Sequence, residues 1–253
     1  MKVAVITPCH REPDAWLARC IDSVAAQTHP CTHILVGDGV RRALATRDSL
    51  LHLALPRGVA DYGDTPRGIG SMYAAGLGFD AIAYLDADNW YLPRHIESLV
   101  TLAQQSGAAV LSSRRALHHL EDGRLLAECL MSDGEQFCDT SCMFFTRRAF
   151  ALLPLWALMD RRLHPIDDRV IWARVMASGL ARAHTGRTTV GYLATHATIY
   201  RDLKLAVPAA AKESSAIRQA LAVWASVHKT PAPKLRPHYR RLASNPEAVP
   251  PAP

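Results

Sequence analysis

The run Ala81-Ile82-Ala83-Tyr84-Leu85-Asp86-Ala87-Asp88-Asn89-Trp90 ends an apolar stretch in two carboxylates one residue apart. Read as a buried strand that stops in Asp-x-Asp, it delivers two hard oxygen ligands to a sheet edge, where a divalent cation and a polyphosphate could be held. Such chemistry serves nucleotide-dependent enzymes. The plainer alternative is a turn, because Asp and Asn hydrogen-bond their own backbone and favour turns. The elements around the run have to decide.

Residues 2–7 form a short β-branched run closed by Pro8, and Trp16, Leu17, Cys20, Ile21 and Val24 follow at helical spacing within residues 16–27. Residues 33–36 read as a second strand ending at Gly37-Asp38-Gly39, and residues 49–55 as a third. Strand, helix and strand at this spacing predict parallel pairing with a crossover, hence an α/β, Rossmann-like, mostly parallel sheet with helices on both faces. A Gly- and Ala-rich helix is expected over 68–78, then the strand 81–85, a helix over 93–106 opened by Pro93, and a strand over 108–112. Beyond that the pattern turns to α+β elaboration. It has a hairpin turn at 121–124, a strand over 142–146, a helix over 149–158, a helix over 167–178 ended by Gly179, and a strand over 188–195. A C-terminal helix is expected over 209–227, and residues 231–253 hold seven prolines and are expected to be disordered.

At 253 residues and 49% apolar content the chain can bury a substantial core. No stretch approaches the roughly 20 apolar residues of a membrane span. Met1-Lys2-Val3 leads into a strand-like run rather than a secretory segment, so a cytoplasmic location is expected. The six cysteines form neither a C-x-x-C pair nor a compact framework, and reduced thiols are expected. The formal charge of +6 points to anionic partners such as nucleotide phosphates or anionic lipid. Much of the excess lies late, in Lys229, Lys234, Arg236, Arg240 and Arg241, where a solvated tail is the plain alternative and peripheral contact with the inner face of a membrane the sharper one.

Several of these segments together resemble the family 2 glycosyltransferases with the GT-A fold, over about residues 3–200. Val3-Ala4-Val5-Ile6-Thr7-Pro8-Cys9-His10, followed by Arg19-Cys20-Ile21-Asp22-Ser23-Val24-Ala25-Ala26-Gln27-Thr28, is similar to that family's first strand and helix. His10 stands where a Tyr is more usual. The resemblance implies a division into a GT-A domain over 1–205, with a nucleotide-sugar-binding half (1–112) and an acceptor and catalytic half (113–205), then the helix segment 206–229 and the basic Pro-rich tail 230–253.

The resemblance also assigns roles. Pro8, His10 and Asp38 would hold the nucleoside, Asp38 by accepting hydrogen bonds at the carboxyl end of a strand. Tyr62-Gly63-Asp64-Thr65-Pro66-Arg67-Gly68-Ile69-Gly70 stands where the family commonly has Ala-Arg-Asn-x-Gly, which makes Arg67 a diphosphate or sugar contact. A surface salt bridge is the competing role for Arg67. Asp86-Ala87-Asp88 matches the family's Asp-x-Asp motif: Asp88 would ligate Mg or Mn, and Asp86 would contact ribose or the metal through water. His196, in Tyr192-Leu193-Ala194-Thr195-His196, would be a third metal or phosphate contact. Asp167-Asp168-Arg169 matches a family Asp-Asp helix start, and an inverting transfer needs a base there to take the acceptor's proton. Asp168 is expected in that role and Asp167 as second choice, with an acidic helix N-terminus as the structural alternative. Trp90 and Thr140 would contact the acceptor, and Trp90 could equally be core.

The function expected is a metal-dependent inverting glycosyltransferase that takes a nucleoside-diphosphate sugar, a UDP-sugar by preference, to a glycan, lipid-linked or small-molecule acceptor. A nucleotidyltransferase would instead carry a Gly-rich phosphate loop after the first strand, where this chain has Pro8-Cys9-His10-Arg11-Glu12. A non-catalytic sugar- or nucleotide-binding protein is the other alternative. Nucleic-acid binding is not expected, since the tail offers a single aromatic residue, Tyr239.

Overall fold

Strand β1 (Val3–Cys9) is buried along its whole length, as a strand paired on both edges and covered on both faces must be. It pairs in parallel with β2 (Cys31–Gly37) on one side and β4 (Ala81–Tyr84) on the other, and β3 (Leu50–Ala54) extends β2 in parallel. Helix α1 (Asp14–Ala25) starts directly after Pro13 and buries Leu17, Cys20, Ile21 and Val24. Helix α2 (Asp64–Gly76) links β3 to β4. It begins four residues before the apolar pattern suggests, because Gly63 turns the chain at φ +88° and the Asp61 carboxylate accepts the Thr65 N–H at 3.0 Å. The computed structural model describes residues 1–44, 47–228 and 237–240.

The second half continues the same sheet. Strand β6 (Val110–His118) follows α3 (His95–Ser106) and pairs antiparallel with β7 (Leu125–Cys129) through the expected turn, where Gly123 has φ +68°. Strand β8 (Met143–Thr146) lies antiparallel between β4 and β6. The long β9 (Arg182–Leu193) runs parallel to β6, and its far end takes β5 (Trp90–Tyr91) in antiparallel pairing. The main path is thus β10-β7-β6-β8-β4-β1-β2-β3, where β10 is Tyr239–Arg240. The α/β, Rossmann-like sheet expected from sequence is present, with its parallel quartet in the N-terminal half.

Three expectations need correcting. The helix expected over 149–158 is a 3-10 segment Arg147–Leu152 and a short α4 (Leu155–Leu158), separated at Pro154, which has no N–H to continue a helix. The C-terminal helix α7 is Ser215–His228, preceded by a loop in which Lys212 bridges His196. The disorder expected of the tail does not hold at Tyr239–Arg240. This short strand pairs with Cys129 and Glu128 of β7, and the Arg240 guanidinium meets the buried Glu128 carboxylate. The rest of the tail from Lys229, with its membrane-contact expectation, lies outside the described residues except for 237–240.

All six cysteines are free thiols. Among the described residues no helix is long and apolar enough to cross a membrane. A main core packs between the sheet and its helices, and a smaller cluster around Leu117, Ala127, Cys129 and Tyr200 lies under α6 (Ala197–Asp202).

Candidate active site

Because β1, β2 and β4 are parallel, their carboxyl ends share one edge, where Pro8 lies near the end of β1's pairing and His10, Asp38 and Asp86 follow their strands. Strand β8 runs the opposite way and so brings its amino-terminal lead, Asp139–Ser141, to the same edge. Ligands in open α/β sheets bind at such an edge.

On the β2 side, the Asp38 carboxylate accepts the N–H groups of Val59 at 2.7 Å and Ala60 at 3.0 Å. His10 is exposed, with its Nδ1 2.9 Å from the Asp38 carbonyl oxygen. Pro8 is buried, and a Cβ on Gly63 would come within 2.8 Å of its ring. The connecting loop is bent hard: Ala60 and Tyr62 both hold positive φ, at +55° and +62°. Non-glycine residues in this region cost energy and concentrate at functional sites.

At the centre lies Arg67, 4% exposed. Its Nη2 donates to Asp86 Oδ1 at 2.5 Å, and its Nη1 to Asp167 Oδ2 at 3.0 Å, Asp64 Oδ1 at 2.9 Å and the Tyr62 carbonyl at 3.1 Å. The surface salt bridge is therefore ruled out for Arg67. The other Asp64 oxygen is 2.5 Å from His164 Nδ1. Burial, opposed by Arg67, pushes the Asp64 carboxyl up to about 7. Asp64 and His164 escaped the sequence reading. Asp64 left a faint signal, three residues before Arg67 at a helix start, whereas His164 left none.

Asp86 is further tied by Ser141, whose hydroxyl donates to Oδ2 at 3.3 Å and accepts the Asp86 N–H at 3.2 Å. Asn89, fully buried, donates to Ser141 Oγ at 3.1 Å and accepts the Leu193 N–H at 3.0 Å, which pins the Asp-x-Asp turn to the end of β9. The Asp88 carboxyl is half-buried and raised by burial and then by Asp86, with Lys212 opposing. His196 is half-buried, its Nδ1 has no hydrogen-bond partner, and burial followed by Lys212 and Arg115 lowers its pKa. Among the described residues no group of three or more His, Cys, Asp or Glu side chains is arranged to hold a metal ion. The expected trio of Asp86, Asp88 and His196 is not such a group, and Asp86 is engaged by Arg67 and Ser141.

Helix α5 (Asp167–Ala177) starts at the edge of this cluster. Asp167 spends one oxygen on Arg67 and the other on the Asp168 N–H at 2.6 Å. Asp168 Oδ1 accepts the Arg169 N–H at 2.7 Å, and its carboxyl is pushed up to about 6 by burial and then by Asp167. Asp168 is therefore the less engaged of the pair. Nearby, the buried Asp139 caps the 3-10 turn Thr140–Cys142 and pairs with Arg115, whose guanidinium lies 4.1 Å from the Tyr192 ring centroid.

Two expected acceptor contacts are corrected. Trp90 is 5% exposed, with Arg19 3.9 Å above its ring and Gly191 against it, where a Cβ would come within 2.0 Å. Thr140 is 3% exposed. Packing between β5, β9 and α1 takes the Trp90 ring face, and neither side chain offers a surface to a sugar.

The architecture defines a GT-A-like, Rossmann-type α/β protein with an acidic cluster around one buried arginine at the carboxyl edge of its parallel strands. The solved structures it is similar to include S. aureus TarS residues 1–349 in complex with UDP, at TM-score 0.54 and 13% identity over 80% of this chain and 64% of that one. TarS 1–349 aligns at TM-score 0.54 and 12% identity over 89% of this chain and 72% of that one. TarS 1–349 in complex with UDP-GlcNAc aligns at 0.52 and 12% over 76% and 58%. The chain thus spans 64% of the first of these structures, and at this identity the likeness is one of fold. No family model and no curated protein sequence matches the chain.

Proposed function

We propose that the chain is an inverting glycosyltransferase that uses a nucleoside-diphosphate sugar, a UDP-sugar by preference, and delivers the sugar to an acceptor hydroxyl. The observation that carries this reading is Arg67 bridging Asp86, on the donor side, to Asp167, beside the candidate base. One guanidinium thereby sets the two halves of a displacement reaction next to each other. The binding of UDP and UDP-GlcNAc by similarly folded TarS supports a UDP-linked donor.

In this reading Pro8, His10 and Asp38, with the loop over residues 56–63, cradle the nucleoside. Asp168 takes the acceptor's proton: its raised pKa suits a base working near neutrality, and its free oxygen leaves room for a hydroxyl. Asp167 holds the start of α5 rather than reacting, because both of its oxygens are engaged. Asp88, with His196 through its unpartnered Nδ1, would hold Mg or Mn together with donor phosphate oxygens, and such an ion would offset charge on the leaving diphosphate. His196 kept neutral is the ligating form of imidazole. The acceptor class remains a glycan, a lipid-linked saccharide or a small molecule.

The test is incubation with a panel of UDP-sugars, scoring UDP release and the anomeric configuration of the product by NMR. Inversion supports the single displacement. Retention removes Asp168 as a simple base.

A further inference from the structure

We infer that Asp64 and His164 act as a pair of positioning residues that fix the Arg67 guanidinium across Asp86 and Asp167, an inference that rests on the transferase reading above. Arg67 has four side-chain torsions and a planar fork of donors, so its direction is set by the acceptors that its terminal nitrogens meet. Asp64 is fully buried, and its Oδ1 takes Arg67 Nη1 at 2.9 Å. His164, 5% exposed, holds the other oxygen through Nδ1 at 2.5 Å, which stops the carboxylate from turning. Asp64 and Arg67 lie one turn apart on α2, whereas His164 comes from the 3-10 segment Arg161–Ile166 just ahead of α5. The pair therefore ties the two elements that carry Arg67 and Asp168.

A second support holds the same nitrogen. The Tyr62 carbonyl accepts from Nη1 at 3.1 Å, delivered by the left-handed backbone at Tyr62 and Gly63. The Trp156 ring flanks the guanidinium at 5.3 Å. With Nη1 held by Asp64 and the Tyr62 carbonyl, Arg67 turns Nη2 toward Asp86 and shares Nη1 with Asp167. Without Asp64, the guanidinium is free to collapse onto either carboxylate alone, and the start of α5 loses its link to the donor side. Asp64 and His164 are both buried, Asp64 against the guanidinium. Their effect falls on turnover rather than on donor binding.

The experiment compares Asp64→Asn, His164→Asn and His164→Leu with the wild-type chain in UDP release from a UDP-sugar. Arg67 guanidinium signals in nitrogen-15 NMR serve as a readout independent of activity. Asparagine at 164 can reproduce the Nδ1 contact and leucine cannot. Asp64→Asn and His164→Leu are expected to lower kcat by about 10- to 100-fold with donor KM changed less than about threefold. His164→Asn should recover most of the rate. The protected, sharp guanidinium signals of the wild-type chain should broaden in step with the loss of kcat. Wild-type rates and unchanged guanidinium signals in His164→Leu would overturn the inference, and so would a change confined to KM. If Asp64→Asn does not fold, the contrast between the two His164 variants decides. If the wild-type chain releases no UDP, the transferase reading fails and the guanidinium spectra alone decide this inference.

Discussion

Arg67 and Asp167 lie a hundred positions apart in the chain and 3.0 Å apart in space, Nη1 to Oδ2. The contact joins α2 to α5, and the same guanidinium reaches Asp86 of the Asp-x-Asp turn at 2.5 Å. Lysine at position 67 keeps the charge, but its single ammonium cannot serve Asp86 and Asp167 as a planar fork does. Arg67→Lys is expected to reduce kcat/KM for the donor by about 10- to 100-fold, measured as UDP release, with the melting transition still cooperative.

Asp168→Asn keeps the shape of the side chain and removes the base. Turnover should fall by about 10²- to 10⁴-fold while UDP affinity, measured by calorimetry, stays within about twofold. Asp167→Asn should lose less, because the helix start can still be held by an amide. A larger loss in Asp167→Asn than in Asp168→Asn would exchange the two roles.

The pH dependence has opposite signs for rate and stability. Asp168 must be ionised to act, so kcat/KM should rise through about pH 6. The folded pKa values of Asp168 and Asp139 are raised to about 6, and that of Asp64 to about 7, each by burial first, against an ordinary value of 3.8. The folded state therefore holds these protons more tightly than the unfolded chain. Their contribution to stability is complete below about pH 3.8 and is lost as pH rises through 6 to 7. Buried histidines such as His33 and His95, lowered by burial to about 3, act in the opposite sense, so the wild-type urea midpoint is compared with that of Asp168→Asn, which shares them. Relative to that variant the wild-type midpoint should fall as pH rises from 5 to 8, and a relative rise contradicts the raised pKa of Asp168.

Trp90 offers a test of the packing. Trp90→Ala should cost about 3–5 kcal/mol in denaturant unfolding, in line with a large buried aromatic. Gly191→Ala should also destabilise, because its Cβ would lie 2.0 Å from the indole and the ring would have to move. An effect of Trp90→Ala on acceptor KM alone, at unchanged stability, would restore Trp90 as a sugar platform.

The tail strand makes a separate prediction. The Glu128 side chain is 4% exposed and is met by Arg240 of β10 and by the Thr188 hydroxyl. Removing the arginine leaves the buried carboxylate with only the more distant Arg114, at 3.9 Å, as its cation, although Arg240 itself is more than half exposed and its attraction is screened. Arg240→Ala should destabilise by about 1–2 kcal/mol, and Glu128→Gln combined with Arg240→Ala should regain part of that loss in the same unfolding assay.

Much of the scaffold was legible because apolar residues report burial. The β1 run, the helical spacing from Trp16 to Val24 and the apolar approach to Asp86 each matched an element of the structure. The first half of β9 was not, because Arg182, His184, Thr185 and Gly186 carry no apolar alternation and are recruited by pairing with β6. Asp86, Arg67 and the Asp167-Asp168 pair were legible as candidates, but their connection was not. Asp64, His164 and Ser141 act through contacts between distant segments, which spacing along the chain does not encode. Trp90 misled for the complementary reason: an aromatic residue next to polar residues reads as a platform, and only the glycine opposite it shows that the ring is buried.

The central claim is that this site splits a nucleoside-diphosphate sugar with Asp168 on the nucleophile's side. The most direct measurement is UDP release from UDP-sugars by the wild-type chain and by Asp168→Asn, with UDP binding followed by thermal shift in the same samples with and without Mn. UDP should raise the melting temperature of both proteins, more with Mn than without, and only the wild-type chain should release UDP at a substantial rate. No stabilisation by UDP or any UDP-sugar, or equal UDP release by the two proteins, would contradict that claim.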